Sequence, residues 1–261
     1  MRGIWTKPPS QLLMKASFLT FLVIVGVLFF VEDEVAETSS TQSIFTSYQP
    51  GSNEDIPDII KKWGKRVAYL ECIPFYDNYT VTGSATLLGG PEIFALTNAH
   101  VITDDNGFAL KTCAILVNNE KVYTVTNSEG NVKMYKPTEE DWAYIKLQKD
   151  EYLDALTSIE LPNCIDEENS SYNVEIGDKI IVLGYPAIGS ESGLTVTDGI
   201  ISGIEDKYYV TSAKIDQGNS GGAALRVRDG CFLGIPTSSA VGSMESLGRV
   251  LKTRVLIEGI Y

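Results

Sequence analysis

Histidine is almost missing from this sequence: one residue, His100, in 261. Any histidine-dependent chemistry therefore has a single candidate, and a metal centre built on histidines is disfavoured. Cysteine is sparse too. Cys72, Cys113, Cys164 and Cys231 lie tens of residues apart, without the C-x-x-C pair of a zinc knuckle or a redox dithiol. Positive charge is short, with 21 Lys and Arg against 34 Asp and Glu, and the net charge of −13 would repel a phosphate backbone. Nucleic acid is set aside as a partner. No long amphipathic helix is legible, which disfavours a parallel sheet covered by helices.

What is present is ample apolar material, 44% of the chain, enough for a real core. Residues 16–31 (ASFLTFLVIVGVLFFV) carry no charge and follow Arg2, Lys7 and Lys15, and the acidic Glu32-Asp33-Glu34 comes directly after them. This asymmetry leaves residues 1–15 in the cytoplasm and places the rest of the chain outside. The run is shorter than the ~20 residues of a comfortable span. A transmembrane signal anchor is favoured, because no small residues occupy both the −3 and −1 positions of an obvious cleavage site. Secretion after signal cleavage is the alternative. Residues 32–54 are rich in Ser, Thr, Glu and Gln, the composition of a flexible tether.

A folded domain is expected over 55–261. Asp55-Ile56-Pro57-Asp58 followed by IIKKWGK reads as a short helix with an acidic, proline-bearing start. From Arg66 onward, runs such as RVAYLECIPF, KTCAILVNN, KVYTVTN, KIIVLGY and YYVTSAKI alternate with Gly and Asx punctuation. This is the pattern of an all-β sandwich or barrel. In an exported chain the four cysteines allow three pairings. Cys72 with Cys113 and Cys164 with Cys231 is favoured because each pair stays within one half of the fold, with four buried free thiols as the alternative.

His100 ends the apolar run Phe94-Ala95-Leu96-Thr97-Asn98-Ala99-His100. In Asp216-Gln217-Gly218-Asn219-Ser220-Gly221-Gly222, glycines bracket a serine, so that a tight turn projects its hydroxyl and aims the N–H groups of Gly218 and Ser220 at one point. Gly218-x-Ser220-x-Gly222 also fits the nucleophile elbow of α/β-hydrolases. Those enzymes place histidine after serine, whereas here it lies 120 residues before. The order His, acid, Ser is that of the chymotrypsin class. Asp141 is the best acid, since it opens the alternating stretch Asp141-Trp142-Ala143-Tyr144-Ile145-Lys146-Leu147, and Glu140 is next. Asp104 and Asp105 belong to a polar loop.

Leu96-Thr97-Asn98-Ala99-His100-Val101, Asp141-Trp142-Ala143-Tyr144-Ile145-Lys146-Leu147 and Gly218-Asn219-Ser220-Gly221-Gly222 resemble the histidine, aspartate and serine blocks of trypsin-like peptidases, most closely the HtrA/Deg protease domain. Gly83-Ser84-Ala85, Ile176-Gly177-Asp178-Lys179-Ile180, Leu183-Gly184-Tyr185-Pro186 and Thr197-x-Gly199-Ile200-Ile201-Ser202 add further matches, over roughly 55–255. The resemblance implies two antiparallel six-stranded β-barrels of the chymotrypsin type, about 65–150 and 170–250, with the site in the cleft between them. It implies a serine endopeptidase with His100, Asp141 and Ser220 catalytic, Gly218 and Ser220 as the oxyanion hole, and neither metal nor organic cofactor. Protein or peptide substrates are implied, and a homotrimer by resemblance alone. A protease-fold domain that binds exposed peptide segments at the membrane surface without cleaving them is the reading from a different class.

Three departures qualify the resemblance. Asn219 stands where digestive relatives have an aspartate that pairs with a newly cut N-terminus, so activation by that ion pair is not expected. The PDZ module usual in HtrA enzymes is not expected either, because the chain ends at Tyr261. Lys214, six residues before the serine, stands where trypsin-like relatives have the base of the S1 pocket, which implies that cleavage after Lys or Arg is disfavoured. Pointing inward, it selects an acidic P1 side chain. Pointing outward along its methylene stem, it leaves Ile215, Ile235 and Thr237 to line a small apolar pocket for Val, Ala or Ile.

Overall fold

The computed structural model of the protein describes residues 55–75, 79–104, 107–127, 140–158, 164, 173–187, 193–240 and 247–260. The expected cytoplasmic terminus, membrane segment and tether, residues 1–54, lie outside these. Among the described residues no helix is long and apolar enough to cross a membrane.

The chain enters through helix α1 (Ile56–Trp63), with Asp55 extended at its cap position and Pro57 in its first turn, where the lost N–H has no intrahelical partner to miss. Ile59 and Trp63, four residues apart, form its buried stripe.

Six strands follow: β1 (Val67–Ile73), β2 (Val81–Leu88), β3 (Ile93–Thr97), β4 (Thr112–Val117), β5 (Lys121–Thr126) and β6 (Ala143–Leu147). They make an antiparallel sheet in the order β5-β4-β1-β2-β3-β6. Alternation is clean in β4 and β6, where Cys113, Ile115 and Val117, and Ala143, Ile145 and Leu147, face one core drawn from all six strands. In β2 and β3 the apolar run is continuous because both faces are covered. Ala85, Leu87, Ile93 and Ala95 join that core, while Leu88 and Leu96 face the second half of the molecule.

After helix α2 (Glu151–Thr157), capped by the Asp150 carboxylate on the Leu153 N–H, come β7 (Lys179–Gly184), β8 (Thr195–Ile204), β9 (Tyr208–Thr211), β10 (Ala223–Arg226), β11 (Phe232–Ala240) and β12 (Leu247–Lys252). These close into a barrel, β10-β11-β12-β9-β8-β7, filled by Ile180, Val182, Ile201, Ala213, Ile215, Ala224, Leu233 and Val250. Helix α3 (Thr253–Ile260) ends the fold. The architecture is the mostly β, chymotrypsin-like one expected, with one difference. Only the second half is a closed barrel, because among the described residues β5 and β6 remain the two edges of the first sheet and no ladder joins them. Both favoured disulfides are formed, Cys72–Cys113 across β1 and β4 and Cys164–Cys231 at the start of β11.

Candidate active site

β3 is buried throughout and stops at Thr97, after which Asn98 is extended and a short 3-10 turn, Ala99–Val101, begins. Ala99 and Val101 turn inward, and the imidazole of His100 between them is left half exposed. β6 runs antiparallel to β3 with Ala143 opposite Thr97, so the segment just before β6 lies beside the segment just after β3. That register delivers Asp141 to His100. The Asp141 carboxylate takes the His100 backbone N–H on Oδ1 (3.0 Å) and the ring Nδ1 on Oδ2 (2.6 Å). The Asn98 amide holds the Asp141 main-chain carbonyl at 2.5 Å. With a carboxylate accepting at Nδ1, the neutral ring carries its proton there and presents a lone pair at Nε2.

A third donor reaches the carboxylate from the other half of the molecule: the Thr237 hydroxyl, 2.9 Å from Oδ2. Thr237 lies where the pairing of β11 with β12 skips a residue, Pro236 opposite Val250 and Ser238 opposite Arg249. Such a bulge re-aims a side chain and tolerates a proline that cannot donate to the ladder. Burial by itself raises the Asp141 carboxyl. The hydrogen bond and attraction of His100, the His100 backbone N–H and the Thr237 hydroxyl outweigh it and hold the group below its ordinary value.

Ser220, nearly buried, sits in the turn between Asp216 and β10, closed by Asn219 N–H to the Asp216 carbonyl (3.0 Å) and Gly222 N–H to the Asn219 carbonyl (2.9 Å). Gly218 and Gly221 have φ of +99° and +84°, which a side chain would strain. Space forbids one as well: a Cβ on Gly221 would strike the Ser84 carbonyl and the Thr97 hydroxyl, and one on Gly218 the Tyr185 carbonyl. The turn is also tied outward. The Ser220 carbonyl accepts from Ser84 N–H (2.9 Å), and the Gly221 N–H donates to the Pro236 carbonyl (3.1 Å). Thr97, three residues before His100, thus forms a wall against which the serine turn is packed.

The other predicted positions have varied settings. Lys214 is exposed and its carbonyl accepts from the Thr197 hydroxyl at 2.7 Å. Ile215 packs into the barrel core and Ile235 into the core between the two halves. Thr237, read from the sequence as a pocket wall, has its hydroxyl on Asp141. Glu140, the second choice of acid, pairs with Lys207 at 2.6 Å. The Asp104 carboxylate closes its own loop on the Phe108 N–H (2.8 Å), and Asp105 lies outside the described residues. Among the described residues one grouping has metal-ligand chemistry, Cys164, Asp229 and Cys231. Its sulfurs form a disulfide and Asp229 grips the buried Arg226, so it offers no donor set for a metal. A cavity of about 710 Å³ opens between α1, the β4–β5 turn and α2, lined in part by Lys61, Lys62, Lys65 and Glu120, and holds none of the candidate residues. What the sequence reading missed is the part played by Thr237. Pro236 inside a strand-like run was the available sign of a bulge.

Comparison with known proteins adds four findings. The solved serine endoprotease from Yersinia pestis superposes with a TM-score of 0.60 at 23% identity, over 81% of this chain and 66% of that one. The HtrA-type protease AlgW, solved with a tripeptide, gives 0.60 at 21% identity, over 80% of this chain and 62% of its own. At such identities the likeness is one of fold, and this chain spans less than two thirds of either protein's length. A search of curated protein sequences finds no match. The sequence model of the trypsin-like peptidase domain matches residues 83–235, more than half the chain and a span that holds His100, Asp141 and Ser220, and the chain therefore belongs to that family.

Proposed function

We propose that this protein is a serine endopeptidase that cleaves proteins or peptides outside the cytoplasm, with His100, Asp141 and Ser220 as its triad. The observation that carries the reading is the Asp141 carboxylate bonded to His100 Nδ1, with the serine turn packed on the residues that lead into His100. Ser220 Oγ attacks the scissile carbonyl carbon while its proton passes to His100 Nε2. The oxyanion is met by the N–H groups of Gly218 and Ser220, each worth about 3 kcal/mol. Collapse breaks the C–N bond as the imidazolium returns the proton to the amine. Water then repeats the sequence on the acyl-enzyme and frees the acid.

Two finer points belong to the same reading. The charge asymmetry around residues 16–31 supports a membrane-anchored chain with its catalytic domain outside, and the paired cysteines fit an oxidising compartment. The exposed Lys214 supports the outward arrangement and an apolar P1 residue such as Val, with cleavage after Lys or Arg disfavoured.

A fluorophosphonate probe and a profile of cleavage sites on a denatured protein mixture test the mechanism and the P1 preference. Wild type is expected to be labelled at Ser220 and to cut after small apolar residues. Ser220→Ala, His100→Ala and the double variant should lose activity to a similar, non-additive extent. Turnover in His100→Ala above about a few per cent of wild type would end the mechanism. No labelling of any form would leave the peptide-binding reading.

A further inference from the structure

We propose that Ser84 is a positioning residue for the oxyanion hole, acting through the peptide that joins its two donors. The inference rests on the peptidase reading above. Ser84 lies on β2, in the first sheet, and is completely buried. Its side chain crosses to the other half. Ser84 Oγ donates to the Gly218 carbonyl at 2.7 Å and accepts from the Tyr185 N–H at 2.9 Å. Because Tyr185 supplies a proton to that oxygen, the hydroxyl's own proton is directed to Gly218.

The consequence follows from peptide geometry. The two donors are the N–H groups of Gly218 and Ser220, and the Gly218–Asn219 peptide lies between them. Gly218 is the residue least able to resist rotation. Its preceding peptide is held by Ala187, whose N–H meets the Gln217 carbonyl at 3.0 Å, so that the trans unit turns the Gly218 N–H the opposite way. Its following peptide is held by Ser84. With both carbonyls tied, the angle between the donors is set before any substrate arrives. That is the condition under which such donors favour the transition state over the bound substrate.

The test uses full-length wild type, Ser84→Ala and Ser84→Cys with a fluorogenic peptide and the matching peptide aldehyde, which forms a tetrahedral adduct. Affinity for the uncut peptide is read in a Ser220→Ala background. Ser84→Ala is expected to lower kcat about 10- to 100-fold and weaken the aldehyde by the same factor, with peptide affinity within about twofold and Ser84→Cys between the two. Should Ser84→Ala fail to fold, Ser84→Cys carries the comparison. A folded Ser84→Ala with kcat within about threefold of wild type, or peptide and aldehyde weakened equally, overturns the proposal. The crystal structure of the variant reads the geometry without turnover. A reoriented or doubled Gly218–Asn219 peptide is expected, and an unchanged one overturns it. Failure of the wild type to react with fluorophosphonate sinks the peptidase reading instead and leaves this structural comparison to decide the role of Ser84.

Discussion

Asp141 is asked to stay charged while more than half covered by protein, and three groups from two segments hold it there: the ring and backbone N–H of His100, and the Thr237 hydroxyl. Removing one donor to a charged acceptor costs about 1.5–3 kcal/mol, so Thr237→Val, nearly the same shape, should lower kcat on the order of tenfold with KM little changed. Steady-state kinetics with one peptide substrate checks this. The depressed carboxyl also has a stability signature. A group whose folded pKa lies below its unfolded value stabilises fully above the unfolded value and loses that contribution as pH falls through the folded one. For Asp141 the loss therefore begins below the ordinary 3.8. Denaturant titrations across that range should show a shallower acid decline for Asp141→Asn than for wild type. An identical slope would mean that the carboxylate is not held as described.

At the level of elements, the Cys72–Cys113 bridge joins residues that are already direct partners of β1 and β4 and closes a separation of 41 residues. Its contribution is mainly a restriction of the unfolded chain, about 2–4 kcal/mol. Cys72→Ala/Cys113→Ala should lose about that much in a urea titration and retain native kinetics at 25 °C, since both cysteines belong to the core of the first sheet and neither makes one of the hydrogen bonds that hold Asp141 or the serine turn. The pairing was legible in the sequence because it kept each bridge inside one half, and β6 was legible because Ala143, Ile145 and Leu147 alternate over a single covered face. The start of α1 was announced by Asp55 and Pro57. Two helices were not foreseen. α2 is seven residues with one buried side chain, Leu153, and α3 gains its meaning only from the core it covers with Val255 and Leu256. The closed second barrel against the open first sheet was equally invisible, because alternation reports which face is buried and not whether the last strand meets the first. Of the candidate site, residue type and chain order singled out His100, Asp141 and Ser220. Ser84 and Thr237 reach it through tertiary contacts: Pro236 signals a bulge beside Thr237, but no local pattern says which group either hydroxyl meets.

For the whole molecule, the decisive packing is the core between the halves. Ile59, Trp63, Val67, Leu88, Leu96 and Trp142 meet Ile181, Leu183, Leu225, Phe232, Ile235 and Leu251 there. Trp63 is its peg, stacked on Phe232 with ring centroids 5.3 Å apart and donating from Nε1 to the Gly230 carbonyl at 3.0 Å. Trp63→Ala should cost about 3–5 kcal/mol, and, because the core is shared, both halves should melt together in wild type. Hydrogen exchange followed separately in β1 and β7 would contradict this if the two showed different midpoints. The strand order of the barrel carries a further consequence, one of timing. β12 is the last of the described strands in chain order, yet it is seated between β9 and β11, and β11 carries both the Pro236 carbonyl that anchors Gly221 and the Thr237 hydroxyl on Asp141. A ribosome delivers His100, Asp141 and Ser220 well before it delivers Leu247–Lys252. Until that strand slots home, the barrel has a gap between β9 and β11, and β11 is held on one side only. Assembly of the candidate site thus waits on Leu247–Lys252, a strand that contributes none of its residues.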